Sequence, residues 1–495
     1  MRSSDASVSP RSAPTPSQEA LSDPAPAPVV AYDFGLSPRA IERVLAAALD
    51  KGGEFAELFC EYRISTRIFM EEEIVKKTAE NVSLGAGVRV LSGEKTGYAY
   101  TNDLSERGLS QAARTAAAIA TGGAPGRVLS LREGTPGREV YDLNRTLTLV
   151  PLETRLDLVR RAYEAATSYD HRISKLQVSF ADGLRHVLIA NSEGLLVTDV
   201  RPQVRLAVSA LAEHNGTSDL GFFTGGGRVG LAYFQNVLPP EQIARTAAEE
   251  AIILLEAVAP PAGAQPVVLG GGQSGVMIHE AVGHPLEADG NRRGTSIMAG
   301  RMGTMVATPQ VTVYDDPTIP HLRGSLNVDD EGTPTQRTML IERGKLVGYL
   351  QDRLSARLLG MPLTGHGRRE SYQHYPIPRM TNTILAQGPY APEEVIASVK
   401  KGFYAKSFQG GQVEESGKFV FSVNLGYLIE NGRLTRPVKN ATLIGTNVQV
   451  LKSISMVAND MGYFLGSCGK EGQSAAVTAG TPTLRIDSIT VGGRR

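Results

Sequence analysis

The chain of 495 residues balances 51 Lys and Arg against 51 Asp and Glu, so its formal net charge is zero. That balance offers no bulk attraction to nucleic acid or anionic membrane, and no apolar run is long enough to span a bilayer. The 2 cysteines, Cys60 and Cys468, are too few for a disulfide framework and fit a reducing, cytoplasmic compartment. The length exceeds one ordinary core and predicts two or three domains.

Residues 1–32 are rich in Ser, Pro and Ala, lack the apolar segment of a secretory signal, and read as a disordered tail. Ser37-Pro38 then marks a helix start, and Ile41, Val44, Leu45, Ala48 and Leu49 form one stripe that ends at Gly52-Gly53. Leu58, Cys60, Tyr62 and Ile64 alternate as one face of a strand, which makes Cys60 a small core residue. Strands are predicted over 82–91 and 98–101, and Ser105 opens an alanine-rich helix. The Gly/Pro-rich stretch 122–137 reads as a loop or linker.

A second unit repeats that order. A helix over 151–168, with Leu152, Leu156, Val159 and Tyr163 on one side, precedes a meander of strands. Breaks are expected at Asp182-Gly183, Glu193-Gly194 and Arg201-Pro202. A helix over 239–258 closes it, and Pro260-Pro261 marks a boundary. Downstream, strands are predicted over 311–314, 338–341, 346–350, 418–429 and 484–491, with hairpin turns at Arg343-Gly344 and Asn431-Gly432. The expected fold class is α+β. N-terminal helix–strands–helix units occupy 33–258 (33–122 and 150–258, a weak internal duplication). A mostly antiparallel β domain follows over 259–495 and carries the helix described next.

That helix lies in Val267 to Asp289, VVLGGGQSGVMIHEAVGHPLEAD, and bears His279, Glu280 and His284. Two imidazoles and an adjacent carboxylate are the parts of a metal-activated-water site, with Glu280 as general base. The common zinc-protease spacing is H-E-x-x-H. Here the histidines are five apart, roughly 140° around a regular α-helix, and cannot share an ion unless the turn widens. Gly283 permits irregular dihedrals and Pro285 disfavours helical geometry at His284, so a π-like last turn is predicted. The plain reading is two histidines with ordinary hydrogen bonds.

Cys468, in GSCGKEGQ, offers a third ligand on a polar, glycine-rich loop, giving two histidines and one cysteine with a fourth position open. A buried free cysteine is the plain counterpart. Gly270, Gly272 and Gly275 match the dinucleotide fingerprint G-x-G-x-x-G, but no acid-tipped second strand follows. They read instead as a tight turn against the helix. In 364–383, TGHGRRESYQHYPIPRMTNT, the residues Tyr372, His374 and Arg379 could bind substrate or a developing oxyanion, or the loop only packs. Asp329, Asp330 and Glu331 read as a solvated turn.

With these residues assembled, the chain resembles the TldD/PmbA family of metalloproteases over about 56–493. The resemblance is carried by HEAVGH, NRRGTS at Asn291, DDEGTP at Asp329, GRRESYQHYPIPRMTNT, NATLIG at Asn440 and GSCGKEGQS. It implies a TldD-type subunit with zinc on His279, His284 and Cys468 and Glu280 as general base. It also implies a PmbA/TldE-like partner in a heterodimer that cuts unstructured polypeptides or leader peptides. The expected activity is therefore that of a zinc-dependent endopeptidase. The rivals are a non-catalytic, chamber-forming, peptide-binding subunit and a nucleotide-binding oxidoreductase. The long N-terminal tail departs from the family pattern.

Overall fold

The computed structural model describes residues 31–123, 126–141, 150–414 and 416–493. Residues 1–30 of the tail expected over 1–32 lie outside them. Tyr32, assigned to that tail, is packed: its ring stacks on Tyr62 at 4.0 Å and its N–H donates to His186 Nδ1.

The helices predicted in the N-terminal region form, with longer strands between them than the patterns predict. Helix α1 (Pro38–Leu49) is capped by Ser37, whose hydroxyl accepts from the Ala40 N–H, and it buries the whole predicted stripe. Strands β1 (Phe55–Glu71), β2 (Ile74–Ser92) and β3 (Lys95–Thr101) follow, then α2 (Glu106–Ile119), capped by Ser105. The predicted linker contains a short strand, β4 (Arg132–Gly134). The second unit comprises α3 (Leu152–Thr167), β5 (Ile173–Asn191), β6 (Leu195–His214), β7 (Thr217–Gly227), a short α4 (Tyr233–Asn236) and α5 (Pro240–Leu255). In α3 the buried face runs through Leu158, Val159, Ala162 and Ala166, while Leu152 is exposed. Leu156 and Tyr163 of the predicted stripe pack against the same core but are only partly buried.

The two units share one sheet of 7 strands, in which β1 pairs antiparallel with β5 at the join. Two predicted breaks are absent. β5 runs through Asp182-Gly183, and β6 runs through Pro202. Pro202 falls between the pairings of β6 with β4 and with β7, and its carbonyl accepts from Arg228 at 3.4 Å. On that side no ladder bond exists for the missing N–H to break.

The C-terminal domain opens with β8 (Gly263–Leu269) and α6 (Gly275–Ile278). Two sheets, of 6 and 7 strands, enclose a core that buries the apolar side of the segment from Val276 to Leu286. The turns at Arg343-Gly344 and Asn431-Gly432 hold both residues at positive φ, as two-residue hairpins require. Of the stretch predicted over 346–350, only Leu346 lies in a strand, the two-residue Lys345–Leu346. Several strands around the motif were not predicted, among them Phe408–Val413, Gly462–Lys470 and Gln473–Thr481. Their glycines hide the period-two signal.

One face of the N-terminal sheet, through Ala56, Leu58 and Cys60, meets α1 and α2. The other face, through Glu57, Phe59 and Glu61, is buried under the C-terminal domain. Asp329, Asp330 and Glu331 are therefore not a solvated turn; each is at most 2 % exposed. Arg89 bridges Glu57 at 2.8 Å and Glu331 at 2.5 Å, Arg369 binds Glu57, and Arg201 binds Asp330. Asp329 instead accepts the backbone N–H groups of Glu331, Thr333 and Gly367. Burial opposes ionisation of Glu57, but Arg89 and Arg369 outweigh it and hold its carboxyl below the ordinary range. Glu57→Gln leaves two buried guanidiniums under-compensated. It is expected to destabilise the protein by about 3–5 kcal/mol, read as a lower midpoint in urea. An unchanged midpoint would mean the network is dispensable.

Candidate metal centre

The site begins at the end of β8. That strand lies between Lys401–Ala405, parallel, and Leu484–Gly493, antiparallel. Gly270 donates its N–H to the Ala405 carbonyl at 2.9 Å, and Gly272 takes φ +96°. A Cβ on Gly275 would come within 2.8 Å of the Ala479 carbonyl, so α6 sits directly on the strand Gln473–Thr481. The glycines make a tight turn. The helix α6 has 4 residues, and the strand parallel to β8, Lys401–Ala405, follows only after several further helices and strands, so the dinucleotide fingerprint lacks its compact βαβ context.

After α6 the chain widens into a π-turn over His279–Gly283, and the His284 N–H donates to the His279 carbonyl. That i→i−5 bond adds a residue to the turn and brings the two imidazoles onto one side, with ring centroids 5.1 Å apart. The causes differ from those expected. Gly283 is ordinarily helical, at φ −59° and ψ −63°. Its role is steric, because a Cβ there would lie 1.8 Å from Met380 Sδ. His284 is also helical, at φ −57° and ψ −45°. Pro285 acts one step later, inside a 3₁₀ turn over His284–Leu286, after which Glu287 is extended. Without an N–H it cannot continue the helical ladder.

Cys468 lies on a strand, not on a loop. Gly462–Lys470 pairs antiparallel with Gln473–Thr481, placing Cys468 opposite Ala475. The hairpin turns at Glu471 and Gly472, both at positive φ. Cys468 Sγ is 3.2 Å from His284 Nε2. One donor atom each from His279, His284 and Cys468 lies within 4.8 Å of the others. Burial opposes thiolate formation at Cys468, but the imidazoles of His279 and His284 outweigh it and bring the thiol down to about 5. His279 is 4 % exposed, and its Nδ1 is buried with no hydrogen-bond partner. Two imidazoles and a low-pKa sulfur, one imidazole nitrogen left unsatisfied, fit a borderline divalent metal. Three protein donors are the number found in catalytic sites, against four in closed structural ones.

Glu280 is half-buried beside this cluster, its Oε2 3.9 Å from His284 Nε2. Burial raises its carboxyl above the ordinary range, ahead of the opposing pull of His279 and His284. Sequence reasoning gave no role to Glu287, which accepts from His284 Nδ1 at 3.0 Å. This bond fixes the tautomer that turns the Nε2 lone pair toward Cys468. Glu287 is in turn held by Lys470 at 3.1 Å and Arg379 at 3.9 Å. Against burial, Lys470, His284 and Arg379 bring its carboxyl down to about 2. The signal was present: His284 and Glu287 are three apart, and Cys468 and Lys470 share a strand face. Glu287→Gln is expected to weaken metal binding by about 10–100-fold in chelator competition. An unchanged affinity would remove Glu287 from the site.

The donors open onto a cleft of about 610 Å³. The strands Phe408–Val413 and Gly462–Lys470, each the edge strand of its sheet, flank it. Of the three residues considered for substrate, Arg379 lies beneath the site, donating to the Cys468 carbonyl at 2.5 Å. Tyr372 is packed with Phe59, Val187 and Ile189, and His374 meets Ser371. None of the three lines the cleft. Arg369, from the same segment, clamps the C-terminal domain onto the N-terminal sheet.

Comparison with known proteins covers most of the chain. Three family profiles match it: PmbA/TldA metallopeptidase domain 1 over 56–120, the central domain over 145–255 and the C-terminal domain over 262–493. The Metalloprotease TldD homolog of Haemophilus influenzae is 44% identical over 452 residues, 89% of this chain and 93% of that protein. The Zinc metalloprotease TldD homolog of Saccharolobus solfataricus is 31% identical, covering 53% of this chain and 59% of that protein. The crystal structure of TldE from Thermococcus kodakarensis has the same fold, with a TM-score of 0.74 and 19% identity. The match covers 92% of this chain and 100% of that one.

Proposed function

This chain belongs to the TldD/PmbA family of metallopeptidases, and on that premise we propose that it is a zinc-dependent endopeptidase for unstructured polypeptides or leader peptides. The observation that carries the reading is the convergence of His279, His284 and Cys468 beside Glu280, at the floor of an open cleft. Zinc, when bound, supplies Lewis acidity that polarises a carbonyl and acidifies water. His279, His284 and Cys468 would hold it, with Glu287, Lys470 and Arg379 fixing the orientation of His284. Glu280 takes the proton of the attacking water and returns it to the leaving amine. Its raised basicity suits that shuttle.

The substrate lies extended and adds as a strand along Phe408–Val413. Residues 409 to 412 of that edge are exposed. Main-chain hydrogen bonds then supply affinity with little sequence preference, as a protease for unfolded chains needs. We assign the chain the TldD role in a heterodimer with a PmbA/TldE-like subunit, supported by the shared fold with TldE. A cytoplasmic setting is supported by two free, buried cysteines, one of which must stay reduced to act as a ligand. Elemental analysis of the purified chain, with peptidase assays alone and with a PmbA/TldE-like partner, tests the reading. Stoichiometric zinc and partner-enhanced hydrolysis are expected. A metal-free chain inactive with and without partner would end it.

A further inference from the structure

Among the described residues, the arginines along the seam between the N-terminal sheet and the C-terminal domain are ion-paired at one end and not at the other. At the paired end, Arg89, Arg185, Arg201 and Arg369 each hold a carboxylate. At the other end Arg63, Arg205, Arg228, Arg323 and Arg368 gather. Among the described residues none of these has a carboxylate within ion-pair distance, and the bonds they make are to neutral groups. Arg323 donates to the Gly466 carbonyl at 2.9 Å and to Ser467 Oγ at 3.1 Å. Arg368 donates to the carbonyls of Met380 and Ala476. Arg205 donates to Thr224 Oγ1 at 3.1 Å. Arg228 is 6 % exposed, and its Nε is buried without a partner. Burial, followed by the charges of Arg205, Arg228, Arg368 and Arg63, disfavours the charged form of Arg323. Arg228 and Arg368 are buried, and Arg63, Arg205 and Arg323 are half-buried. The carboxylates that act on them (Asp330 and Asp315 on Arg368, Glu61 and Glu370 on Arg63, Asp199 on Arg228) do so from beyond ion-pair distance. The guanidiniums therefore repel one another, and an anion joining Arg323 and Arg205 relieves that repulsion.

The cluster lies close to the metal centre. Ser467 and Ala476, which receive Arg323 and Arg368, are opposite each other across the hairpin, one rung from Cys468 and Ala475. Arg205 lines a cavity of about 1250 Å³ that shares Val276, Phe464, Gly466 and Ser467 with the metal cleft. An extended chain in the cleft can therefore present a group to these arginines. We propose that the cluster around Arg323 and Arg205 is an anion subsite that receives a carboxylate of the peptide substrate. Planar guanidiniums match a carboxylate in shape and charge. The carboxylate comes from an Asp or Glu side chain near the scissile bond or from the peptide's own C-terminus. The inference rests on the peptidase reading for its choice of ligand.

Binding, not turnover, is the test. Four labelled peptides differ only in Asp against Asn near the expected cut, and in a free against an amidated C-terminus. Their Kd values are measured by fluorescence anisotropy on the metal-loaded full chain, in a Glu280→Gln background that keeps the peptide intact. A carboxylate peptide is expected to bind about tenfold tighter than its neutral counterpart. The arm in which the difference appears identifies the source. Arg323→Gln should abolish the preference while leaving the neutral peptide's Kd unchanged, and Arg205→Gln should reduce it. Equal Kd values in all arms, a preference that survives both substitutions, or no binding would overturn the subsite. Carboxylate-selective binding by a wild-type chain that cuts nothing would leave it standing and sink the hydrolase reading instead.

Discussion

Glu280→Gln is expected to lower kcat by about 10²–10⁴-fold while leaving metal content unchanged. Glu280 is outside the cluster of three donors yet lies 3.9 Å from the nearest of their nitrogens. An amide at that position keeps the size and one acceptor oxygen but cannot take a proton. The loss should therefore fall on the chemical step and leave KM nearly unaltered. Burial is the leading cause that raises the carboxyl of Glu280, so its proton affinity is already biased toward a shuttle. Full activity of the variant, with metal present, would remove Glu280 from the reaction. A fall in activity that tracks a fall in metal would show that it supports the ion instead.

Cys468→Ser is the second large effect. A serine hydroxyl is harder than a thiolate and remains protonated where the thiol at about 5 would be ionised, so it is a much poorer ligand for a borderline metal. Metal stoichiometry after dialysis should drop well below one, and hydrolysis should fall with it. The fold should survive, since Cys468 is small and the hairpin is held by its pairing from Gly462–Thr481 through Lys470–Gln473. An unchanged circular dichroism spectrum with lost metal is therefore the expected pair of results. Full zinc content in the variant would take the sulfur out of the site. Glu280→Gln and Cys468→Ser separate the two parts of the proposal. The first stops proton transfer with metal bound, and the second removes the metal.

Much of the site is legible in the sequence. The fivefold spacing of His279 and His284 is incompatible with a regular helix if both bind one ion, and the chain forms a π-turn there. Local rules read less well wherever a residue's environment came from far along the chain. Gly283 was read as a source of unusual dihedrals, but its backbone is helical and the demand on it comes from Met380. Asp329, Asp330 and Glu331 looked solvated because Arg89 and Arg201, which bury two of them, are more than a hundred residues away. Tyr372 looked available to a substrate and is instead packed against Phe59 of the N-terminal sheet.

By itself the sequence determined the elements whose cause is local: capped helices with periodic stripes, hairpins where Asn-Gly and Arg-Gly hold positive φ, and the presence of two imidazoles, a carboxylate and a thiol. Only the tertiary structure decided their meeting. It set Cys468 on an edge strand against His284, placed Glu287 behind that ring, and, among the described residues, left one group of arginines bound to carboxylates and another bound to neutral groups along a single seam. The physical reason is range. Backbone preference and side-chain periodicity act over a few residues and can be read in order. Ligand convergence and charge compensation depend on which distant surfaces exclude water together, and the two packed domains settle that.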